Sequence, residues 1–506
     1  MALGQNMHAS DDAIIAGLPS NIELANIPQP QIPDKLDDPF LITFSAGHHN
    51  ASNPKNWPTR RKWTVTDVLS ATGFNRIMVS TIMAPALPLI ARELSMSSTE
   101  AVMAMSIYVL ATAFGPLIIG PLSEVYGRAP ILHATGVWFL VWNIVCGFAK
   151  TKEVLVAARF LAGFGASSIF ALAGGVLGDI WRPEQRGRSL GVYLMIPLLG
   201  AAVGPIVGGF MAGRTTWRWM FWATSIFQAV MVFVAFTAFR ETYGPLLLKR
   251  RAEKMRQTTG DMRYYTAHER MEEQKSVFSI LRSALSRPLQ LLLFHPVIQI
   301  VSLIEGFHYG ILYIVLSSFA DLWTQHYHFR VELSGLHYIA IALGNVAGSQ
   351  LGGRILDAFH RRMKPRDANE GASPESEHRI PLMFPGYIIG YLGLIFYGWT
   401  AQFQVHWIAV DIGVFFACFG TQVGGMAMQA YVIDAYVEHT SSATAATRFL
   451  ESLSAFLFPL FAPSMYGAMG YGWGNTALAA VGIVIGFPMV FLLWKRGQAW
   501  RLGRGQ

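Results

Sequence analysis

The residues that could do chemistry stand where an apolar chain keeps ionisable groups only at a cost. Glu305 lies in the middle of a long apolar run, with His308 and Tyr309 three and four residues on, hence on one helix face. Asn75 and Arg76 interrupt the first apolar run, and Arg159 the fourth. Gln422 and Gln429 are seven residues apart and share a face, and Arg448 and Glu451 are three apart and expected to pair. A charged side chain at the centre of a bilayer costs roughly 2.5–3.5 kcal/mol on insertion scales and marks a functional position by default. A carboxyl in a low-dielectric cavity can load and release a proton, and so can an imidazole. The bland alternatives are a buried Glu–Arg pair for Glu305, a satisfied core histidine for His308, helix packing for the glutamines, and an Arg159 that ties one helix to another.

The runs that carry these groups define the class. The chain has 506 residues, 52% hydrophobic and 14% charged, with mean hydropathy +0.36; soluble domains carry roughly 25% charged residues. Runs of about 20 apolar residues recur, each long enough to cross a hydrocarbon core about 30 Å thick. The expected fold is all-α and polytopic, with twelve transmembrane helices in two pseudo-symmetric six-helix halves. The spans are expected at 64–90 (α1), 101–121 (α2), 131–149 (α3), 154–180 (α4), 189–212 (α5), 217–239 (α6), 292–320 (α7), 334–357 (α8), 381–401 (α9), 405–433 (α10), 441–469 (α11) and 475–494 (α12). The organisation is then a disordered cytosolic tail over 1–62, the first half over 63–240, a cytosolic linker over 241–290, the second half over 291–495 and a tail over 496–506. The aromatic and Met content, with 21 Met and 33 Phe, suits an adaptable apolar pocket, although such residues more often face lipid or core.

Charge placement gives the orientation. Of 39 Lys and Arg, 30 fall on the side of the termini and linker, 6 on the other and 3 inside spans. The positive-inside rule places both termini in the cytoplasm. The net charge of +8 and pI near 9.4 are thus accounted for by membrane topology, and nucleic acid is not implied. The linker run Leu246–Arg256 suits an anionic leaflet or plain solvent. Cys146 and Cys418 both sit inside spans and make no disulfide framework. The histidines are too scattered for a zinc site, there is no phosphate loop, and no cluster of catalytic groups. An enzyme is not expected, and neither is a cofactor.

Between α2 and α3 runs GPLSEVYGRAP, Gly120–Pro130. Gly120 suits close packing of α2, Gly127 a sharp turn, and Glu124 and Arg128 charge-assisted contacts at helix ends. Gly353, Asp357 and Arg361 repeat the Gly–Glu–Arg spacing after the second span of the other half, at an offset of 233 residues, with His360 where the first half has Gly127. On α5, GAAVGPIVGGF places Gly200, Gly204 and Gly208 every four residues, beside Pro205 and Gly209. One face of that helix is bare of side chains and bends at the proline.

These motifs resemble those of the major facilitator superfamily. GPLSEVYGRAP is similar to its signature loop, with Glu124 at the acidic position and Ala129 where a second basic residue is usual. ARFLAGFG, with Arg159 and Gly163, resembles the family's α4 motif, and Gly200–Phe210 resembles the α5 motif of its antiporters. NPKNWP, RETY at Arg240–Tyr243, and YGWGNT resemble fungal twelve-span drug:proton antiporters; the likeness covers about 53–500. The resemblance implies a proton-coupled exporter of an amphipathic organic compound, such as a drug, fungicide or secondary metabolite. It would be a monomer in the cell membrane, powered by the proton gradient. It implies proton coupling through Arg159, Glu305 and His308, and a substrate cavity lined by Asn75, Arg76, Gln422 and Gln429. The cytosolic gate would hold Gly120, Glu124, Gly127, Arg128, Gly353, Asp357 and Arg361. Asp67 and Asp434 read as gate or helix-end charges. The alternatives are a narrow exporter of polyamines or organic acids and a transporter-like receptor. Arg76 and Arg159 against Glu305 lean the expectation towards neutral or anionic cargo.

Overall fold

The computed structural model describes residues 40–44, 53–267, 269, 277–363, 376–436 and 440–502. Helices follow one another from Thr59 to Leu502, and among the described residues the only strand pairing is one bridge, Leu41 with Tyr265. Nine runs are long and apolar enough to cross a membrane among the described residues, α11 and α12 counting as one, with α5 and α8 outside that set. With those, the twelve expected helices are present.

The helices are longer than the apolar runs and are broken where the sequence withholds backbone donors. α1 begins at Thr59, stops at Thr81, turns through Ala84–Ala86 and resumes over Leu87–Glu93. Pro85 and Pro88 supply no N–H there, so the helix cannot run through. α2 spans Ser98–Tyr126 and opens with a capping box of Ser97 and Glu100, which satisfies two orphan donors at once. α3 is Arg128–Phe148. α4 is split by Ser167 into Lys152–Ala166 and Ser168–Ile180. α5 spans Pro183–Arg214 and α6 Arg218–Ala238. In the second half, α7 is Pro296–Asp321, α8 Val331–Met363, α9 Met383–Gln402 and α10 Trp407–Ala435. α11 and α12 meet at Gly470, whose φ of +71° breaks the helix Thr440–Val481; α12 continues to Leu502 through a π turn at Gly482–Gly486. The linker contains two helices that apolar length could not signal, Gly244–Thr259 and Val277–Phe294. The second packs on α2 and α11 and exposes Leu289, Leu293 and Phe294.

Residues 1–39 and 45–52 of the expected tail lie outside the described residues. Phe40–Phe44 joins the linker. Ile42 N–H donates to the Tyr265 carbonyl at 2.8 Å and Tyr265 N–H to the Phe40 carbonyl at 3.0 Å, while the Phe40 and Tyr264 rings meet edge to face. The described end of the tail is therefore paired with the linker instead of running free.

Within the first half α1 packs on α5 and α6, and α4 on α2 and α3; in the second, α7 packs on α11 and α10 on α8 and α9. The halves meet along α2–α11 and α5–α8. Glycine places α5 against both halves. A Cβ at Gly200 would stand 2.5 Å from the Phe74 carbonyl of α1, and one at Gly204 2.6 Å from that of Met78. Gly209 turns the other way, where a Cβ would come 2.9 Å from the Val331 carbonyl of α8, and one at Gly335 2.7 Å from the Pro205 carbonyl. Backbones can approach so closely only without side chains. Gly120 is different: a Cβ there would meet nothing within 4 Å. The expected tight packing of α2 at Gly120 is not found, and the close approach is at Gly115, which faces Ser167.

Candidate functional site

Four of the expected second-half residues and one ion pair converge on one cavity. It is lined by Glu305, His308 and Tyr309 of α7, Gln422, Gly425 and Gln429 of α10, and Thr447, Arg448 and Glu451 of α11, and encloses about 130 Å³. α7 runs from Pro296 to Asp321 and α10 ends at Ala435, so these residues lie in the halves of their helices nearer the linker. Glu305 is nine residues into α7, or roughly 14 Å along it at 1.5 Å per residue. Tyr387 of α9 donates its hydroxyl to Glu305 Oε1 at 3.0 Å. The His308 ring stacks on Tyr387 with centroids 4.1 Å apart, and its Nε2 lies 2.7 Å from the Tyr391 hydroxyl. His308 is therefore packed and partnered through α9, while Glu305 faces the cavity. Arg448 and Glu451 pair with each other at 2.9 Å, as their spacing predicts. Tyr387 and Tyr391 were not legible in the sequence: nothing sets them apart from the other tyrosines.

Asn75 and Arg76 are elsewhere. Both are buried and neither lines the Glu305 cavity. Asn75 Nδ2 donates to the Thr224 carbonyl at 3.2 Å and to Gln228 Oε1 at 3.1 Å. Arg76 Nη1 donates to Ser168 Oγ, which also accepts from Thr135 Oγ1 at 2.9 Å. These bonds knit α1 to α3, α4 and α6 inside the first half. The side chains point into helix packing because they lie on the α1 face that α4 and α6 cover.

Arg159 is also fully buried. Its guanidinium donates to carbonyls only: Val79 at 2.9 Å and Ser80 at 3.5 Å on α1, Ala104 at 3.3 Å and Met105 at 3.4 Å on α2. It lies over the Tyr108 ring at 4.4 Å. Val79 and Ser80 are in the last turn before α1 breaks, where carbonyls have no intrahelical donor. A cation at a helix C-terminus is also favoured by the helix dipole. Among the described residues Arg159 has no carboxylate partner. The geometry is that of a tie between α4, α1 and α2.

The turn after α2 works through residues from distant sequence. Gly127 has φ +103°, a conformation side chains disfavour. Arg128 is buried: Nη1 donates to Ser123 Oγ at 2.6 Å, Nε lies 3.6 Å from Asp179 Oδ2 at the end of α4, and exposed Glu124 is 3.6 Å away. Glu241, in the RETY segment, accepts from the backbone N–H of Arg128 at 3.0 Å and of Ala129 at 3.2 Å. It caps α3 from the end of α6. Gly175 leaves the space that Arg128 fills, since a Cβ there would stand 2.7 Å from Nη2. Asp179 and Glu241 were missed; their only signal in the sequence is a carboxylate at the end of an apolar run. Losing a capping side chain costs about 1 kcal/mol. Glu241→Ala is accordingly expected to lower the melting temperature of the purified protein by about 1 °C, read by thermal unfolding of detergent-solubilised protein, while Glu124→Ala leaves it in place.

The second-half counterpart differs. Gly353 sits within α8, which stays helical to Met363, so no turn interrupts the repeat where His360 replaces a glycine. The side chains of Asp357 and Arg361 lie outside the described residues. Asp434 at the end of α10 pairs with Arg379 at 2.6 Å, a helix-end charge as expected, and Asp67 is exposed.

The family model described as the Major Facilitator Superfamily matches residues 69–459. The chain is 52% identical to the probable efflux pump mfs2 of Aspergillus flavus over 84% of this chain and 99% of that protein. It is 38% identical to the efflux pump vrtL of Penicillium aethiopicum, over 94% of this chain and 92% of that one. Among solved structures it resembles the Escherichia coli xylose transporter XylE in a partially occluded inward-open conformation, with a TM-score of 0.62 at 15% identity over 86% of this chain and 98% of that chain; at that identity the likeness speaks for the fold alone. On the family match and the identity to mfs2, this chain belongs to the Major Facilitator Superfamily, a family of membrane transporters and not of enzymes.

Proposed function

We propose that the protein is an exporter of an organic compound that works by alternating access and is driven by protons. The observation that carries the reading is the convergence of Glu305 with Gln422, Gln429, Arg448 and Glu451 on one cavity between α7, α10 and α11, in a chain whose relatives include proteins named efflux pumps. Glu305 is the proton-carrying group. The glutamines supply hydrogen bonds to cargo, with the Arg448–Glu451 pair beside them. The charge distribution puts the linker side, and so the nearer end of this cavity, in the cytoplasm.

The enclosed 130 Å³ is below the roughly 300–1,000 Å³ of drug-sized sites. Cargo therefore enters as the halves rock apart around the α2–α11 and α5–α8 seams. The arginines of the first half no longer weigh towards anionic cargo, because neither Arg76 nor Arg159 lines this cavity and both are buried in helix packing. The cavity's charged lining is two carboxylates and one guanidinium, which favours neutral or cationic compounds. The deciding experiment is a substrate panel in cells of matched surface expression, with and without the protein. Compounds exported should accumulate less in expressing cells, and collapsing the proton gradient should abolish the difference; export that survives collapse would overturn proton drive.

A further inference from the structure

A second cavity lies at the opposite end of α7. It encloses about 380 Å³ between the last turns of α7, the far end of α11 and the start of α2, and its lining includes Asp321, Gln325, Tyr466, Gly467, Tyr471 and Val102. Asp321 is sixteen residues beyond Glu305, or roughly 24 Å along the same helix, so the two carboxylates serve different spaces. Because α2 belongs to one half and α7 and α11 to the other, the cavity straddles the seam on the face away from the linker.

Its chemistry is one-sided. Asp321 is its only formally charged lining residue, and no Lys, Arg or His lines it. Among the described residues Asp321 has neither an ion-pair partner nor a side-chain hydrogen bond, and it is exposed to the space. Beside it stand two tyrosine rings, Tyr466 and Tyr471, with centroids 4.7 Å apart. Tyr466 is held in place by its hydroxyl, 3.0 Å from Asn475 Oδ1. A single carboxylate with a pair of fixed aromatic faces attracts a cation by charge and by the ring quadrupole. The volume falls within the range of small-molecule sites.

We propose that this cavity is a binding site for small monovalent organic cations, of the quaternary or protonated amine class, on the side of the membrane away from the linker. It is separate from the Glu305 cavity, and its occupancy does not require that transport be proton-driven. Cargo released from the central route would meet it last, and external amines would meet it first.

The test uses the full chain in lipid nanodiscs and benzyltrimethylammonium as probe, with binding read by isothermal titration calorimetry. Saturable binding is expected in the wild type, with at least a tenfold loss of affinity in Asp321→Asn and retention in Asp321→Glu. Gly467→Leu provides a steric test from another helix: a Cβ at Gly467 meets nothing within 4 Å, so the side chain fills the cavity without touching the charge. It too should lose binding at least tenfold. Glu305→Gln should bind the probe as the wild type does. Absence of saturable wild-type binding would overturn the proposal. So would unchanged affinity in either Asp321→Asn or Gly467→Leu, or a loss confined to Glu305→Gln, which would move the cation to the other cavity.

Discussion

Arg159→Ala is expected to abolish transport at every pH and to destabilise the protein, while the chain still inserts in the membrane. The argument starts at Pro85 and Pro88. They end the first segment of α1 at Thr81, which leaves the carbonyls of its last turn without donors. In water such groups are solvated; in the interior of the first half they are not. Arg159 meets two of them, Val79 and Ser80, and reaches two more on α2. Alanine removes every one of those donors and opens a void the size of the guanidinium beside Tyr108. Unmet buried carbonyls and the cavity together cost on the order of 3 kcal/mol. Lysine keeps a cation near the helix end but cannot span four acceptors with a planar fork, so Arg159→Lys should recover stability only in part. Thermal unfolding and efflux at two or more pH values, at matched surface expression, check this. Unaltered stability with a selective loss of proton dependence would instead give Arg159 a direct part in coupling.

The same residue marks where sequence reading stops. That a bare Arg in a span must find a carbonyl, a partner or water followed from its cost in lipid. Which of these it found depended on a helix break 80 residues away in sequence. The spans were legible because apolar length is a local property, and the α5 glycines because their spacing is. The linker helices were not, since Gly244–Thr259 carries no long apolar run and gains its place by contact. Glu305, Gln422 and Gln429 could be assigned to the cavity because polar groups on otherwise apolar helices have few places to go. The same rule misdirected Asn75 and Arg76. α1 is covered on most sides, with its best apolar stretch 72% buried, so a polar residue on it can face packing as readily as a cavity. Gly127 was read as a turn from its type alone, whereas the cap it needs comes from Glu241, more than a hundred residues on. Such pairings follow from the fold and have no periodic trace.

Glu305→Gln is expected to flatten the pH dependence of transport and to reduce its rate at least tenfold. Glutamine has the shape of glutamate, and its Oε1 can still accept the Tyr387 hydroxyl that Glu305 holds at 3.0 Å. Gly425 leaves room beside the other oxygen, which a Cβ there would crowd at 3.2 Å, so the amide fits. What is lost is only the ability to take up and release a proton. Under the proposed proton drive, acid on the side away from the linker should accelerate wild-type export, because protons bound from that side and released on the other would return the carrier for its next cycle. With glutamine the same gradient has no group to load at this position, and the curve of efflux against external pH becomes level. Glu451 separates this from a general loss of charge in the cavity. It is neutralised by Arg448 at 2.9 Å, and Glu451→Gln leaves that guanidinium, which is exposed in the cavity, without its carboxylate. That variant should transport poorly yet keep the wild-type dependence on pH. Efflux by both variants from cells or proteoliposomes, over about pH 5 to 8 on the far side, discriminates them, since the histidine and cavity-carboxyl range lies there. A Glu305→Gln protein with the wild-type pH profile would place the proton-carrying group elsewhere. A level profile in Glu451→Gln alone would assign it to the Arg448-paired carboxylate.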